Sequence, residues 1–364
     1  MSIPGATEER NFDEPMPDSE SIHQTQDQSD CCLVETRQRP DIWEISESKD
    51  ERMMQLELLH HYHMYICTPF KVAQSPIVEA TWQNDVPTIA FENDNLLYAI
   101  FTISATFMLR AQPLNTELQI RRDRYLALTL QCQRNAVDEL SQRNADAISF
   151  TALLIQMNSF AMLHERINPI CGHEAITEWL KTGPGLGQIV AITVAMARQN
   201  PSSKFKIIMD APPAYAPNID YHFRHAIPPQ SRPLLDGHLA QLENLTPSSR
   251  EIYERTLRFL GTIHHSNEEG KPSFYAARQT QGFSLLVPKA FVEFVEEGRS
   301  LALVVLAHFF AQVALVKDPP WWMGDAPIKA INAISQTLQG NHDTVLQEME
   351  WPCMVARDMR RGCS

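Results

Sequence analysis

Residues 301–316 read LALVVLAHFFAQVALV, a run of sixteen residues that are all apolar except His308 and Gln312. The run is too short to span a bilayer, which takes about 20 residues, so it reads as a helix buried inside a protein core. Its two polar residues lie four apart and therefore share one helical face. Polar groups in such a place need partners. Either they bond to neighbouring helices, or they face a cavity and orient a ligand there. The aromatic pairs Phe309-Phe310 and Trp321-Trp322 would pack in the core or wall the same cavity. The candidate ligand-binding residues are accordingly His308, Phe309, Gln312, Trp321 and Trp322; no catalytic residue is assigned.

The same helical period recurs outward from this segment. Leu59, Tyr62, His63 and Ile66 follow it, as do Leu96, Ile100, Ile103 and Phe107. Leu126, Leu130, Val137 and Leu140 line another face, followed by the apolar stretch Ile148 to Leu163. Tyr253, Leu257, Leu260 and His264 belong to a helix announced by Thr246-Pro247 and the capping-box spacing Ser248…Glu251. Ile328, Ile331, Ser335 and Leu338 follow Pro327 and stop before Gly340. Strand signals are weak, and no Asn-Gly or Asp-Gly turn joins alternating runs. The fold class is all-α, an irregular multi-helix bundle. One stretch breaks the pattern: six prolines between Asp210 and Pro233 exclude a continuous helix and predict a long loop that links two halves or covers a site.

Charge divides the chain unevenly. Of the net −13 over 364 residues, residues 1–51 carry −10, from 14 acids and 4 bases. Residues 1–48 are rich in Glu, Asp, Ser, Gln and Pro and cannot bury enough apolar surface to offset ordering entropy, so a disordered acidic head is expected ahead of a helical domain over 49–364. Phe12, Leu33, Ile42 and Trp43 in that head fit either an activation segment or a solvated tail without a specific role. The body is nearly neutral, and neither part has the basic footprint of a phosphate-backbone binder. Seven cysteines, irregularly spaced and without a CxxC pair, argue against a disulfide framework or a structural zinc site. The polar N-terminus is neither a secretory signal nor a basic transit peptide. These features predict an intracellular protein, nuclear or cytoplasmic, without metal or cofactor and bound to neither membrane nor nucleic acid directly.

Other clusters read as structure. Gly183-Pro184-Gly185-Leu186-Gly187 lacks the preceding strand of a dinucleotide site and is expected to break a helix. His60, His61 and His63 lack the third ligand and acid of a zinc site. His164, Glu165, Cys171, His173 and Glu174 have ligand chemistry at no standard spacing and suggest a surface turn. Glu296-Glu297 next to Gly298 reads as a solvated helix end. No G-x-S-x-G elbow or thiol-enzyme phrase occurs.

Two groups of phrases carry a resemblance. The first is Leu56 to His63 (LELLHHYH), then Trp82 to Pro87 (WQNDVP) and Leu96 to Ile100 (LLYAI). The second is Leu285 to Phe291 (LLVPKAF), Ala302 to Phe310, Trp321-Trp322-Met323-Gly324 and Glu350-Trp351-Pro352. In this order, over about residues 54–353, the chain resembles the regulatory domain of fungal zinc-cluster transcription factors of the sterol uptake control type. The resemblance implies an all-helical fold with an apolar small-molecule pocket built from the C-terminal helices. The sequence departs from it in three places. The six-cysteine cluster is replaced by Cys31-Cys32 in an acidic setting, Asp325 stands where an aromatic residue usually follows, and the glycine phrase interrupts a region that is usually helical.

Two functions follow as expectations. One is a small-molecule-responsive regulator-like protein that acts through a partner, either a complete regulator of this kind or a second copy of itself. The other is a cofactor-free cyclase, isomerase or cycloaddition enzyme of terpenoid or polyketide secondary metabolism, which would need chiefly a shaped apolar cavity for a terpenoid or sterol-like ligand.

Overall fold

The computed structural model describes residues 48–68, 75–167, 172–213, 219–339 and 343–361. The acidic head expected over 1–48, with Cys31-Cys32, lies outside these residues except for Ser48. Helices account for most of the described chain, and no strand occurs among the described residues. They are α1 (Lys49–His61), α2 (Pro76–Ala80), α3 (Val86–Ala90), α4 (Asp94–Ala111), α5 (Thr116–Asp138) and α6 (Ala145–Arg166). There follow α7 (Gly172–Gln199), α8 (Lys204–Asp210), α9 (Pro233–Asp236), α10 (His238–Leu242), α11 (Pro247–Glu268) and α12 (Ser273–Leu286). The last five are α13 (Lys289–Glu296), α14 (Ser300–Ala314), α15 (Ala326–Thr337), α16 (Asp343–Glu348) and α17 (Glu350–Arg361). The all-α expectation holds.

Two of these helices are apolar nearly all round and form the interior. In α14 every residue from Leu301 to Val313 is buried. The other, α6, is long and apolar enough by length and composition to cross a membrane, yet 78% of its most apolar window is buried within the fold. Between them stands a stack of rings. Phe283 lies 3.9 Å from Phe309, Trp179 stacks on both, and Phe160 meets Trp179 and Trp322 edge-on. Around this centre α4 packs against α5 and α6, α7 against α6, α12 and α15, and α14 against α11, α15 and α17. Helices before and after the Pro-rich stretch thus share one core.

Helix starts follow sequence chemistry with one adjustment. Thr246 is the N-cap of α11, its hydroxyl accepting from the Ser249 amide at 3.1 Å, and Pro247 occupies the first turn. The cap therefore falls two residues before the Ser248…Glu251 spacing. Asn115 caps α5 in the same way, through the Leu118 amide at 3.0 Å. Gly298, just past α13, takes φ +70°, a conformation that glycine adopts without a Cβ penalty.

Two expectations are overturned. Helix α7 does not break at its glycines; it runs unbroken from Gly172 to Gln199 with Pro184 inside. The reason lies across the interface: a Cβ on Gly183 would sit 2.0 Å from the Ser284 carbonyl oxygen, and one on Gly187 2.2 Å from that of Leu285. The glycines let α7 lie against the backbone at the end of α12. In α5 the buried face is not Leu126–Leu130–Val137–Leu140 but Leu118, Arg122, Tyr125, Thr129 and Gln133. Polar partners set that rotation. Gln133 accepts from Asn95 at 2.8 Å and donates to the Ile148 carbonyl at 3.0 Å, and the Tyr125 hydroxyl donates to Glu51 at 2.6 Å.

The described parts of the Pro-rich stretch form two tight 3-10 turns, Ile219–Phe223 and Pro229–Ser231, before Pro233 opens α9. The first turn lies against α11, where Arg255 stacks 4.1 Å over Phe223. This segment covers a helix surface.

Candidate functional site

An apolar opening of about 90 Å³ is bounded by residues far apart in sequence. Tyr62, Trp82, Met157, Met209, Leu285 and Trp322 are among those that line it. Its N-terminal wall owes its shape to two wider turns. Past α1 the chain continues through a π-helical turn at Tyr62–Ile66, and past α2 through another at Thr81–Asp85. Each closes its backbone hydrogen bond over one more residue than an α-helix does, which rotates the following side chains; such turns are frequent at functional sites. The Tyr62 hydroxyl donates to the Trp82 carbonyl at 3.0 Å and ties the two turns together.

Polar groups at the cavity are few and neutral or engaged. Complete burial pushes the Tyr62 phenol well above its ordinary range, so it stays protonated as a donor. Burial also raises Cys67, whose thiol donates to the His63 carbonyl at 3.0 Å. That thiol is therefore a poor nucleophile. Arg278 reaches the carbonyls of Ile208 at 2.6 Å and Ala211 at 2.8 Å, at the C-terminal end of α8. The indole N–H of Trp322 is buried and has no acceptor among the described residues.

The five residues proposed from sequence do not come together here. Trp322 lines the cavity; His308, Phe309, Gln312 and Trp321 are not among its walls. Both ring nitrogens of His308 are used inside the protein. Nε2 donates to the Glu348 carbonyl at 3.1 Å, which leaves Nδ1 to accept from the Ser231 hydroxyl at 2.9 Å. Phe309 is in the ring stack. Gln312 is fully buried with neither side-chain atom partnered among the described residues, while its own carbonyl accepts from Asn267 at 3.0 Å. Trp321 packs against Phe107 at 5.1 Å, beneath Arg110.

The remaining clusters are dispersed. His60 and His63 are exposed, and His61 packs on Tyr65 and Phe107. His164 and Lys329 both engage Asp325, and Glu165 pairs with Arg122 at 2.6 Å; Cys171 lies outside the described residues. Glu296 reaches Lys181 at 2.8 Å on the surface. Among the described residues no three His, Cys, Asp or Glu side chains are grouped to hold a metal ion.

Sequence reasoning missed Tyr62, Trp82 and Leu285 as wall residues, although all three stand in the phrases that carried the resemblance. The phrases marked these positions, but helical period took Tyr62 as packing and gave Trp82 and Leu285 no role.

An all-helical chain with an apolar opening walled by residues far apart in sequence is the class of protein that the described residues define. Comparison with known proteins places the resemblance more narrowly. Residues 57–173 match the family described as the fungal specific transcription factor domain. The chain is 24% identical over 273 residues to the Zn(2)-C6 fungal-type transcription factor afumD of Aspergillus fumigatus, covering 73% of this chain and 69% of that protein. It is 25% identical over 330 residues to a Zn(2)-C6 fungal-type transcription factor of Gibberella zeae, covering 84% of this chain and 62% of that one. With sterol uptake control protein 2 of Saccharomyces cerevisiae it shares 30% identity over 118 residues, 32% of this chain and 12% of that protein. The resemblance read from the sequence, to the regulatory part of fungal zinc-cluster transcription factors, is borne out.

Proposed function

We propose that this chain is a transcriptional regulator-like protein whose helical body responds to a small apolar molecule held in the cavity between the two π-helical turns, α12 and Trp322. One observation carries the reading. The two groups of phrases shared with zinc-cluster regulators, some 200 residues apart, both supply its walls: Tyr62 and Trp82 from the first, Leu285 and Trp322 from the second. Separate core packing would not require them to converge on one apolar opening. At about 90 Å³ the opening holds several waters but is smaller than an ordinary ligand site of roughly 300–1,000 Å³. A terpenoid or sterol-like effector would therefore have to move side chains, and the flexible Met157 and Met209 are suited to yield. That displacement is the signal: binding repositions α12 and the turns around it. The 364 residues hold no six-cysteine cluster, and contact with DNA through a partner chain belongs to this proposal.

The test joins the chain to an unrelated DNA-binding domain in a yeast reporter strain and titrates farnesol and ergosterol, with thermal unfolding of the purified protein in parallel. The expected outcome is a reporter response to one of them and a melting temperature raised by about 5 °C at a hundred times Kd. Met157→Trp, which fills the cavity, should abolish both while still folding. Recovery of the compound unchanged supports a regulator. Multiple-turnover conversion would replace this reading with the cofactor-free enzyme, and absence of binding by either compound would reject the cavity as their site.

A further inference from the structure

Beside the apolar cavity lies a second, more polar cleft of about 270 Å³, between the Pro-rich segment and helices α11 and α12. The two openings occupy adjoining flanks of α12. Gln281 and Leu285 face the apolar cavity, Tyr275, Gln279 and Leu286 face the cleft, and Arg278 and Gly282 belong to both. Helical spacing explains the arrangement. Positions 278, 281 and 285 form one row, 275, 279, 282 and 286 the next, and the rows meet at 278 and 282. At that shared edge Gly282 has no side chain, and the Arg278 guanidinium is drawn onto the carbonyls that end α8.

The cleft has the chemistry for an anion. Lys271 and Arg278 face a single carboxylate, Glu269, and three imidazoles stand around them: His222 and His225 from the covering segment and His265 from α11. Tyr221 and Tyr275 complete the polar wall. The rings of His225 and His265 are 5.0 Å apart. Glu269 is shared by Lys271 at 3.1 Å and His265 at 3.2 Å. Burial makes His222 and His225 less basic than a free imidazole, and each is lowered further by a neighbouring histidine, His222 by His225 and His225 by His265. A second carboxylate placed among these rings would reverse that and draw protons onto them.

We propose that the effector is an amphipathic acid, its apolar body in the cavity beside Trp322 and its carboxylate in the histidine cleft on Lys271, His265 and His225, with the chain passing over Gly282. This assignment rests on the apolar cavity being the effector site, as proposed above. It adds a headgroup chemistry and a pH dependence. Binding takes up protons, so affinity rises as pH falls from 8 to 6 while the ligand carboxylate stays ionised.

Calorimetry on the full chain with dodecanoate and 1-dodecanol, both below their aggregation limits, separates the two claims. The acid should bind about ten-fold tighter than the alcohol at pH 6.5, with a smaller advantage at pH 8. The double variant His265→Gln/Lys271→Ala changes two exposed side chains and should fold as the parent does. It should remove the acid's advantage and leave dodecanol affinity within about two-fold. Gly282→Leu should weaken the acid toward the alcohol by closing the passage, with thermal unfolding as a check on folding. Equal affinities for acid and alcohol in the parent, or an advantage that survives the double variant, would overturn the headgroup assignment and leave the apolar cavity standing. Binding of neither compound would overturn the headgroup assignment, and the farnesol and ergosterol titration then decides the cavity by itself.

Discussion

His308 shows how one side chain can be central to a fold without lining its apolar cavity. It is buried on the most apolar helix, and its two ring nitrogens join the covering segment at Ser231 to the end of α16 at Glu348. Desolvation holds its pKa down to about 4, well below the ordinary value near 6.5. The folded protein thus keeps the ring neutral, whereas the unfolded chain accepts a proton as pH drops below about 6.5. Its contribution to stability is intact above that pH and is lost progressively as pH falls toward 4. The loss is about 2 kcal/mol by pH 5. Urea unfolding at pH 7.5 and pH 5 should show this loss in the parent protein. His308→Gln, which retains a donor and an acceptor but does not titrate, should show a shallower dependence. His222 and His225, lowered in the same direction, account for part of what remains.

At the scale of elements, the contact of α7 with α12 is set by two absent side chains. Gly183 and Gly187 bring backbone against backbone, and a methyl group at either would force the helices apart. Gly185 lies between them in the sequence but on the opposite side of the helix, exposed and with nothing within 4 Å of its would-be Cβ. Three alanine substitutions therefore divide by sign. Gly183→Ala and Gly187→Ala should each destabilise by about 1–3 kcal/mol or more through overpacking. Gly185→Ala should stabilise by about 0.5–1 kcal/mol, because alanine loses less backbone entropy in a helix. Denaturant midpoints of the three variants check the pattern; three equal effects would mean that the phrase has no directional packing role. Since α12 also separates the cavity from the cleft, the two destabilising variants should weaken dodecanol binding as well.

For the molecule as a whole, the aromatic stack joins helices from both sides of the Pro-rich segment into one core. Rings from α6, α7, α12 and α14 are in contact there. A shared interior cannot open in halves, so far-ultraviolet circular dichroism and tryptophan fluorescence should report a single coincident transition in urea. Among the described residues the buried core begins at Leu58, with Met54 packed against it. A chain beginning at Lys49 should accordingly keep the same midpoint within experimental error. A lower midpoint, or two separated transitions, would show that the acidic head or an independent half contributes to folding.

From the sequence alone came the helical class, the burial of the apolar run as far as Val313, the start of α11 at Thr246-Pro247 and the likeness to zinc-cluster regulators. Each depends on local chemistry or on the order of short phrases, and both survive without knowledge of neighbours. Trp322 was legible as a wall residue because a large aromatic after a core helix is confined to few places. Tyr62, Trp82 and Leu285 were not, since the π-helical turns that aim the first two arise from how the chain settles on the core, and no periodicity encodes them. The rotation of α5 and the continuity of α7 were decided across interfaces, by Asn95 meeting Gln133 and by carbonyls that only glycine can approach. Likewise, that His308 would spend both nitrogens on Ser231 and Glu348 depended on residues 77 and 40 positions away. Burial and partner choice are properties of packed neighbours, and these become defined only when the tertiary structure brings them together.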